Sequence, residues 1–494
     1  MEAIQSIRHI ARVVVEAATP LTVGSGNEGI TLDRLIARDI NGLPTIPGSS
    51  LAGVLRSAMS DSIDKVELNM LFGYQEGDKG EGSRVIVSNA YFVGKGGFVF
   101  EGLNTPDESD AYCQRFKYLP IRQHVSITHR GAAKDMGKFD EELLFKGTRF
   151  CFELEALGVE PELWLKLLDT LANPKFRVGS GTRKGFGELK VITLRKVTYN
   201  LTNREDADRY INKTASMNAP LEASVEHKKV ENRSCNATHY QIKVIPEDFF
   251  LFSSGLGSDE ADMNPVFESI VNWTDNEPKF IDNQLLIPAT SLKGALAHRT
   301  AFYFNKRRSI FAEKVFQPNG IAELLRDEAY LNSLLNLSNF DSTTVKPEEL
   351  VTTYNPAVMQ LFGFSLDSNI EKMKQSQKTK MRGRVIFSDV FTALTPQSVK
   401  ILNHVKIDRF TGGAYEGALF NEEVVGQQQE FTFDIYLEEG VENEFVECLE
   451  LAMLDVTTGA LPLGGGTMRG HGRFNGKLLK DGKEINNEAL HTAR

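Results

Sequence analysis

The motif IPGSSLAGVLRS, at residues 46–57, decides the fold because it returns as IPATSLKGALAH at residues 287–298. Both copies place two small hydroxyl residues ahead of apolar residues with helical spacing, so each copy is expected to begin a short helix. A motif repeated at this distance indicates that the chain carries two similar structural units.

Four further blocks recur in the same order around this motif. They are LFGY at 71–74 and LFGF at 361–364, SRVIVSNA at 83–90 and GRVIFSDV at 383–390, HVSITHRGAAKDMGKFDEELLFKG at 124–147 and HVKIDRFTGGAYEGALFNEEVVGQ at 404–427, and GSGTRKGFGEL at 179–189 and GGGTMRGHGRF at 464–474. Chance is a poor explanation for five blocks in one order, and the pattern predicts a tandem duplication.

The spacing of the blocks predicts the domain boundaries. Residues 1–200 are assigned to a first module, 201–237 to a polar linker and 238–494 to a second module. The separation between the copies grows from 241 to 290 residues after the first block, which places an insertion at about 302–351 in the second module. Its leucine spacing is typical of a helix. The first module has its own, loop-like insertion at 94–114.

Each copy alternates strands with two helices. A β-rich start is followed by a short helix, an apolar strand, a hairpin-like stretch, a second helix, a glycine-rich turn and a last strand. This order predicts an α+β fold made of two tandem ferredoxin-like modules of the RNA-recognition type, with hairpin and helical insertions.

The composition restricts the class of protein. The net charge of -10 is unusual for a free nucleic-acid binder, so any RNA-binding charge must be concentrated in grooves. No run of about 18 apolar residues occurs, so no membrane span is expected. The four cysteines are scattered without CxxC pairs, which argues against a structural zinc or a disulfide framework and favours a cytoplasmic protein. They are Cys113, Cys151, Cys235 and Cys448.

The glycine-rich turn is a candidate contact for a ribose–phosphate chain. It joins a helix to a strand, unlike a Rossmann turn, and lacks the GK[ST] ending of a P-loop. Glycines allow close backbone approach, and neighbouring cations supply charge. The candidate residues are Gly179, Gly181, Arg183, Lys184 and Gly185, with Arg469 in the second copy. A tight turn needed only for strand pairing is the alternative.

The start of the repeated helix is a second candidate. Ser49 or Ser50 is a natural N-cap, and the free amides and dipole of a helix start favour a phosphate. The candidate residues are Ser49, Ser50 and Arg56 in the first copy, and Ser291, Lys293 and Arg299 in the second. Ordinary capping of a core helix remains the alternative.

Together these blocks resemble the RAMP superfamily. The segments that carry the likeness are GSGNEGITLDRLIARD at 24–39, LPTIPGSSLAGVLRS at 43–57, SITHRGAAKDMGKFDEELLFKGTRFCFEL at 126–154 and RVGSGTRKGFGELKV at 177–191. The likeness is strongest to the repeated backbone subunit of type III CRISPR effector complexes, and it covers 8–200 and 238–480. It implies subunits that polymerise along a guide RNA, with a thumb-like hairpin that displaces a nucleotide of the guide–target duplex at every sixth position.

The resemblance also implies a catalytic aspartate. In this family an aspartate on a loop cuts the target RNA opposite the kink with the help of a divalent metal, and the matching residue here is Asp33. A carboxylate can act as a base or hold Mg²⁺ or Mn²⁺ on a phosphate oxygen. Asp33 is therefore expected to be both the catalytic residue and the metal ligand.

In the second copy the loop can be aligned in two ways. One alignment puts Asn264 opposite Asp33, and the other puts Met263 there. Asp262 lies on the same loop. A second catalytic aspartate at Asp262 and an inactive second site both remain open.

The resemblance places the thumb at the hairpin-like stretch. Arg130 and Lys134 in the first copy and Arg409 in the second are candidate RNA contacts there. A solvated hairpin is the alternative. His124 and His404 also recur, but a histidine flanking a strand is more often a hydrogen-bonded core residue than a catalyst, so neither is assigned chemistry.

The sequence thus predicts a guide-RNA-binding backbone subunit of a type III CRISPR ribonucleoprotein that cleaves target RNA. Its expected partners are the guide RNA, the target RNA and other type III effector subunits. Two alternatives stay open. One is a structural backbone subunit without catalysis, and the other is a guide-processing endoribonuclease that works without metal.

Overall fold

Two stretches of similar strand and helix order make up the chain. The computed structural model describes residues 5–26, 34–60, 62–128, 131–227, 237–255, 257–317, 319–324, 326–330, 347–365, 380–426 and 429–485. The first stretch contains β1 (Ile7–Ala17), α1 (Gly48–Met59), α2 (Lys65–Phe72), β2 (Tyr74–Glu76), β3 (Lys79–Glu81), β4 (Val85–Val87), β5 (Tyr91–Phe92), α3 (Ala111–Arg115), β6 (Ile121–Ile127), β7 (Ala133–Glu142), β8 (Arg149–Leu157), α4 (Pro161–Thr170), β9 (Leu189–Asn200), α5 (Arg204–Ile211) and β10 (Val225–Glu226).

The second stretch repeats this order with additions. It contains β11 (Ala237–Pro246), β12 (Phe267–Thr274), β13 (Glu277–Ile287), α6 (Ala289–Arg307), α7 (Ala312–Val315), α8 (Gly320–Leu324), α9 (Pro347–Leu350), α10 (Pro356–Phe362), β14 (Gly363–Ser365), β15 (Lys380–Arg382), β16 (Val385–Phe387), β17 (Val390–Ala393), β18 (Val399–Ile407), β19 (Ala414–Val425), β20 (Phe431–Glu438), α11 (Asn443–Thr457), β21 (Phe474–Lys480) and β22 (Lys483–Ile485).

The central sheets of the two modules have the same topology. The first runs β4–β8–β1–β9 and the second β16–β20–β11–β21, with every neighbouring pair antiparallel. Taking the strands of each module in chain order, this is the 4-1-3-2 arrangement of a ferredoxin-like fold. The expected α+β fold with two tandem ferredoxin-like modules is confirmed.

Each sheet buries one face beneath two helices. In β1, Ala11, Val13 and Val15 alternate with less buried residues, as the two-residue repeat of a strand requires. In α4, Leu163, Trp164, Leu167 and Leu168 are buried, and their spacing puts them on one side of the helix. The same apolar residues therefore form the local structure and fill the core.

Most of the expected linker belongs to the first module. Residues 201–227 contain α5 and β10, and β10 extends the first sheet next to β9. Arg12 on β1 donates hydrogen bonds to the carbonyls of Ser216 and Met217, both at 3.0 Å. The low apolar content of this segment gave no indication that its backbone carbonyls would accept hydrogen bonds from Arg12. Residues 228–236 lie outside the described residues.

The two insertions differ in the amount of helix they contain. The described parts of 302–351 include the end of α6 together with α7, α8 and α9, while 331–346 lie outside the described residues. The first-module insertion, expected to be a loop, contains the short helix α3 and a single 3-10 turn.

The modules meet at a joint built from ion pairs. The Arg122 guanidinium contacts Glu268 at 2.8 and 2.9 Å and Asp389 at 2.7 Å, and all three side chains are at most 10% exposed. Arg183 lies 2.5 Å from Glu438. Because these acids belong to the second module and the arginines to the first, buried charge fixes how the modules dock.

A β-ribbon strengthens the joint. Strands β12 and β13 of the second module form an arm that packs on the first module, where Val271 joins the first module's core. The Trp273 indole donates a hydrogen bond to the Gly147 carbonyl at 2.7 Å, and the Arg149 guanidinium lies 4.2 Å from its ring. The arm therefore adds apolar burial to the ion pairs.

The glycine turn packs tightly against the second module at the joint. Gly185 has φ +106°, and a Cβ atom there would lie 2.6 Å from both the Ala289 Cβ and the Asp389 Oδ1. Its counterpart in the second module, Gly470, has φ +92° but nothing within 4 Å of that position. The two glycines share a positive φ and differ in what faces them.

We expect Gly185→Ala to destabilise the protein more than Gly470→Ala. Both variants carry the cost of a left-handed alanine, about 1–3 kcal/mol, but only Gly185→Ala also overpacks the joint, at a further ~1–3 kcal/mol. Urea unfolding of the two variants measures the difference. Equal losses of unfolding free energy would show that Gly185 does not need the close contact.

Candidate nucleic-acid interface

The loop after the first strand of each module lies against the base of that module's long hairpin, which is β6–β7 in the first module and β18–β19 in the second. Three backbone pairs fix it in each case. The pairs are Leu21–Leu144, Gly24–Ile36 and Arg34–Glu141 in the first module, and Phe250–Val425, Ser253–Pro265 and Met263–Glu422 in the second. Each loop residue is thus matched by the residue 229 positions later, so position 33 is matched by position 262.

This register corrects the loop alignment. The two alignments weighed from the sequence, which put Asn264 or Met263 opposite Asp33, are both wrong. Those alignments were based on similar residues within the loop. The backbone pairs on either side of the loop instead give one constant separation of 229 residues between the two modules. Asp33 itself lies outside the described residues.

The hairpin holds Asp262 in place. Asp262 is exposed, its backbone N–H donates a hydrogen bond to Asn421 Oδ1, and its Oδ2 accepts one from the Asn421 N–H, both at 2.9 Å. The corresponding hairpin residue of the first module is Asp140. An exposed carboxylate with one oxygen anchored in this way is positioned to contact a ligand that passes the hairpin base.

A buried glutamate lies beneath this loop in the second module. Glu422 is 0% exposed and accepts a hydrogen bond from His404 Nε2 at 2.9 Å, and it also pairs with Arg469 of the glycine turn. His471 Nδ1 is 3.8 Å away. Glu422 therefore pairs with the loop through its backbone and connects the hairpin with the glycine turn through its carboxylate.

The first module repeats this arrangement with Glu141. His124 Nε2 lies 2.8 Å from its carboxylate and Arg34 3.5 Å from it. Burial opposes ionisation of Glu141, but His124, Arg34 and Lys184 hold its pKa below the ordinary value. Neither glutamate was predicted as a site residue from the sequence, although both lie in the same repeated block. His124 and His404 contact these carboxylates, and no catalytic role is assigned to them.

Positive side chains from both modules converge at the joint. This joint cluster consists of Arg183, Lys184, Lys293 and Arg382, of which only Arg382 was not a sequence candidate. Burial and the nearby Arg382 lower the pKa of Arg183 to about 10. Burial, Lys184 and Arg183 lower the pKa of Lys293 to about 8. Cations that depress one another's pKa values form a site that a phosphate would stabilise.

Three of these cations have contacts that the structure defines. Arg183 Nε and Nη1 are buried without a hydrogen-bond partner among the described residues, although Nη2 contacts Glu438. Lys293 Nζ donates to the Phe362 carbonyl at 3.0 Å. Lys184 lies 4.9 Å from the Phe139 ring. The glycine turn therefore supplies both a tight packing contact and positive charge.

The expected serine N-caps are wrong. α1 begins at Gly48 and α6 at Ala289, with prolines at the N-cap positions and no side-chain cap from the helix itself. The first amide donates instead to Asn89 Oδ1 at 2.9 Å in α1 and to Asp389 Oδ1 at 2.8 Å in α6. In each module, a side chain that follows the edge strand thus caps the helix in place of the expected hydroxyl of the helix itself. Ser49, Ser50 and Ser291 lie within the first turns.

The other residues that the sequence suggested as RNA contacts either bond to groups of the same module or lie outside the joint cluster. Arg56 donates to the Gly73 carbonyl at 2.5 Å and to Asn69 Oδ1 at 2.8 Å. Arg299 pairs with Asp455 at 2.5 Å. These contacts brace helices and bring neither arginine to the joint cluster. The remaining glycines, Gly179 and Gly181, lie in the turn, Arg409 is exposed near the hairpin end, and Arg130 and the Lys134 side chain lie outside the described residues.

The described residues contain no group of three or more His, Cys, Asp or Glu side chains arranged to hold a metal. Mg²⁺ keeps most of its water ligands and is often held by one or two carboxylates, so the exposed Asp262 carboxylate fits a site of that kind. Burial raises the pKa of the thiols of Cys151 and Cys448 to about 12, which makes them poor ligands. No described helix is long and apolar enough to cross a bilayer.

The fold and this interface define a protein of two tandem ferredoxin-like modules, each with a loop pinned to a hairpin base beside a glycine turn. The family model of the RAMP superfamily matches residues 14–190 and 252–475. The chain therefore belongs to the RAMP superfamily, and the two matched regions fall in the two modules. No curated protein shows significant similarity to the chain.

Proposed function

We propose that the chain is a guide-RNA-binding backbone subunit of a type III CRISPR ribonucleoprotein, which cleaves target RNA with Asp33 and Asp262. Membership of the RAMP superfamily indicates an RNA-binding, CRISPR-associated protein. The observation that supports the proposal is the constant register of the residues that flank the two loops, since by that spacing position 262 corresponds to position 33 and both are aspartates in the sequence. A single chain would then cut the target RNA at two sites, one at each module.

The joint cluster supports the RNA-binding part of the proposal. Its cations come from both modules and lie beside the glycine turn, where a phosphate chain running from one module to the next would pass. The net charge of -10 is compatible with this, because only the local charge along the path matters for binding.

The proposed chemistry needs few protein groups. A nucleotide displaced by the hairpin kinks the target strand and can bring its 2′-oxygen in line with phosphorus. That oxygen attacks phosphorus and the P–O5′ bond breaks. The leaving 5′-oxygen takes a proton from water, so the products are a 2′,3′-cyclic phosphate and a 5′-hydroxyl. The aspartate accepts the 2′-proton or holds the metal. Mg²⁺ or Mn²⁺ would be held by Asp33 or Asp262 and would supply charge neutralisation at the phosphate.

Reconstitution with a guide RNA tests the function. Target RNA should be cut at two positions in Mg²⁺ and left whole in EDTA, while precursor guide RNA is left whole in both. Stable guide binding without cuts would favour the structural backbone, and cleavage of precursor RNA in EDTA would favour the guide-processing enzyme.

RNA binding should weaken as the pH rises through about 8. Lys293 has its pKa near 8 in the free protein, so it loses its charge there, whereas an ordinary lysine stays protonated to about pH 10.4. Lys293→Met should remove this step from a plot of guide affinity against pH, and Lys306→Met, an exposed site on the same helix, should keep it. An unchanged pH profile in Lys293→Met would separate Lys293 from RNA binding.

The lowered pKa of Lys293 also predicts the direction in which the folding stability changes with pH. Because its folded pKa lies below its unfolded value, the unfolded chain binds more protons between pH 8 and 10. Stability should therefore rise over that window in the natural protein and stay flatter in Lys293→Met.

A further inference from the structure

Asn421 ties the aspartate loop of the second module to the base of its hairpin. Its backbone N–H donates a hydrogen bond to Asp262 Oδ2, and its side-chain Oδ1 accepts one from the Asp262 N–H, both at 2.9 Å. Its side-chain Nδ2 donates to the Glu260 carbonyl at 3.1 Å. One asparagine therefore holds both the carboxylate of Asp262 and the backbone that leads to it.

The strand that carries Asn421 is itself well fixed. Asn421 is half-buried in β19, where it lies opposite Asn403 of β18. The next residue, Glu422, is buried, bridges to Met263 through its backbone and accepts a hydrogen bond from His404 at 2.9 Å. Because the strand is held on both sides of the loop contact, Asn421 is a fixed point from which side-chain hydrogen bonds can set the position of the loop.

The turn before Asp262 depends on this asparagine for its attachment. The Ser258 N–H donates to the Ala261 carbonyl at 2.7 Å, and Ser258 Oγ accepts from the Ala261 N–H at 3.2 Å. These bonds close the turn but do not connect it to the hairpin. Among the described residues, the bond from Asn421 Nδ2 to Glu260 is the one hydrogen bond between the hairpin and residues 258–261.

The anchored carboxylate keeps one oxygen open. Asp262 is exposed, and no described residue donates a hydrogen bond to its Oδ1. A carboxylate held through one oxygen has already lost much of its rotational freedom, so less is lost when the other oxygen contacts a ligand. Anchoring by Asn421 therefore prepares Asp262 for a contact that it does not make within the chain.

The first module has a carboxylate where the second has this amide. Asp140 matches Asn421, since it pairs with Gln123 across its hairpin as Asn421 pairs with Asn403. An ionised aspartate only accepts hydrogen bonds, whereas an asparagine side chain both donates and accepts. The amide also places no second negative charge beside an aspartate. The three-bond anchor seen at Asp262 therefore depends on the side chain of Asn421.

We propose that Asn421 is a positioning residue for cleavage at the second module, where its side chain holds Asp262 in place for the target RNA without contacting the RNA itself. The proposal rests on the proposed function, because a positioning role requires cleavage at Asp262. It goes beyond that function in naming the group that orients the aspartate.

Cleavage by the assembled ribonucleoprotein tests this role, with the cut at the first module as an internal reference. Asn421→Ala removes the two side-chain bonds and leaves the backbone bonds between positions 421 and 262. The kcat of the cut that Asp262→Ala abolishes should fall about 10-fold, the lower end for loss of a group that orients another. The KM for target RNA and the rate of the other cut should stay unchanged.

Asn403→Ala is the matched control. Asn403 is an exposed asparagine directly across the hairpin from Asn421, and its side chain makes no hydrogen bond with any described residue. Both cuts should keep their natural rates in this variant. A loss shared by the two variants would mean that any truncation at the hairpin base disturbs cleavage, which contradicts a specific role for Asn421.

Two further results for Asn421→Ala would overturn the proposal. One is an unchanged rate at both sites, and the other is a raised KM with both cuts slowed together, as expected for general damage or for an RNA contact. A natural complex that binds target RNA and cuts it at neither site would refute the proposed function, and the positioning role with it. The natural complex measured alongside therefore shows which of the two has failed.

Discussion

Asp262→Ala should abolish one of two target-RNA cuts in the assembled ribonucleoprotein, and Asp33→Ala the other. Each loss should be at least about 100-fold in rate, the lower end for removal of a positioned acid or base. The reason is the shared spacing, since each aspartate directly precedes in sequence the residue that bridges to the hairpin base, Arg34 or Met263. Denaturing gels of end-labelled target RNA resolve the two products separately.

Asp259→Ala is the matched control for the second module, since Asp259 is an exposed acid three residues earlier on the same loop. Both cuts should persist in that variant, and guide affinity should be unchanged in all three. If Asp262→Ala left both cuts intact while Asp33→Ala removed one, the second module would be a structural unit only.

Arg122→Met should destabilise the protein by about 3–5 kcal/mol. Removing the guanidinium leaves Glu268 and Asp389 buried without their cation. Burial already raises the pKa of Asp389 against the influence of Arg122, so proton uptake should relieve part of the cost at low pH. The deficit should therefore be larger at pH 8 than at pH 5, as measured by urea unfolding.

Two comparisons isolate the buried charge. Adding Glu268→Gln and Asp389→Asn to Arg122→Met removes the orphaned acids and should recover much of the loss. Arg209→Met breaks an exposed pair with Glu205 and should cost no more than about 1 kcal/mol. An Arg122→Met variant as stable as Arg209→Met would mean that the arm, and not the ion pairs, holds the modules together.

The repeat predicted the modules and the glycine turn well because these depend on local patterns. Strand alternation, helix spacing and glycine positions are all visible in neighbouring residues. The helix caps were predicted wrongly because Asn89 and Asp389, each of which follows a strand, lie 41 and 100 residues after the helix starts. The loop alignment failed for the same reason, since only backbone pairing with the hairpin fixes its register.

The sequence by itself determined that this is a duplicated α+β protein of the RAMP type, with an aspartate loop and a cationic turn in its first copy. Only the tertiary structure decided that Arg183 and Lys293 lie near one another at the joint, that Asp262 is anchored to the hairpin, and that buried ion pairs join the two modules. The repeated sequence blocks reveal the structural features that the two modules share. Which of their surfaces touch depends on distances between residues that lie far apart in the chain, and these arise only on folding.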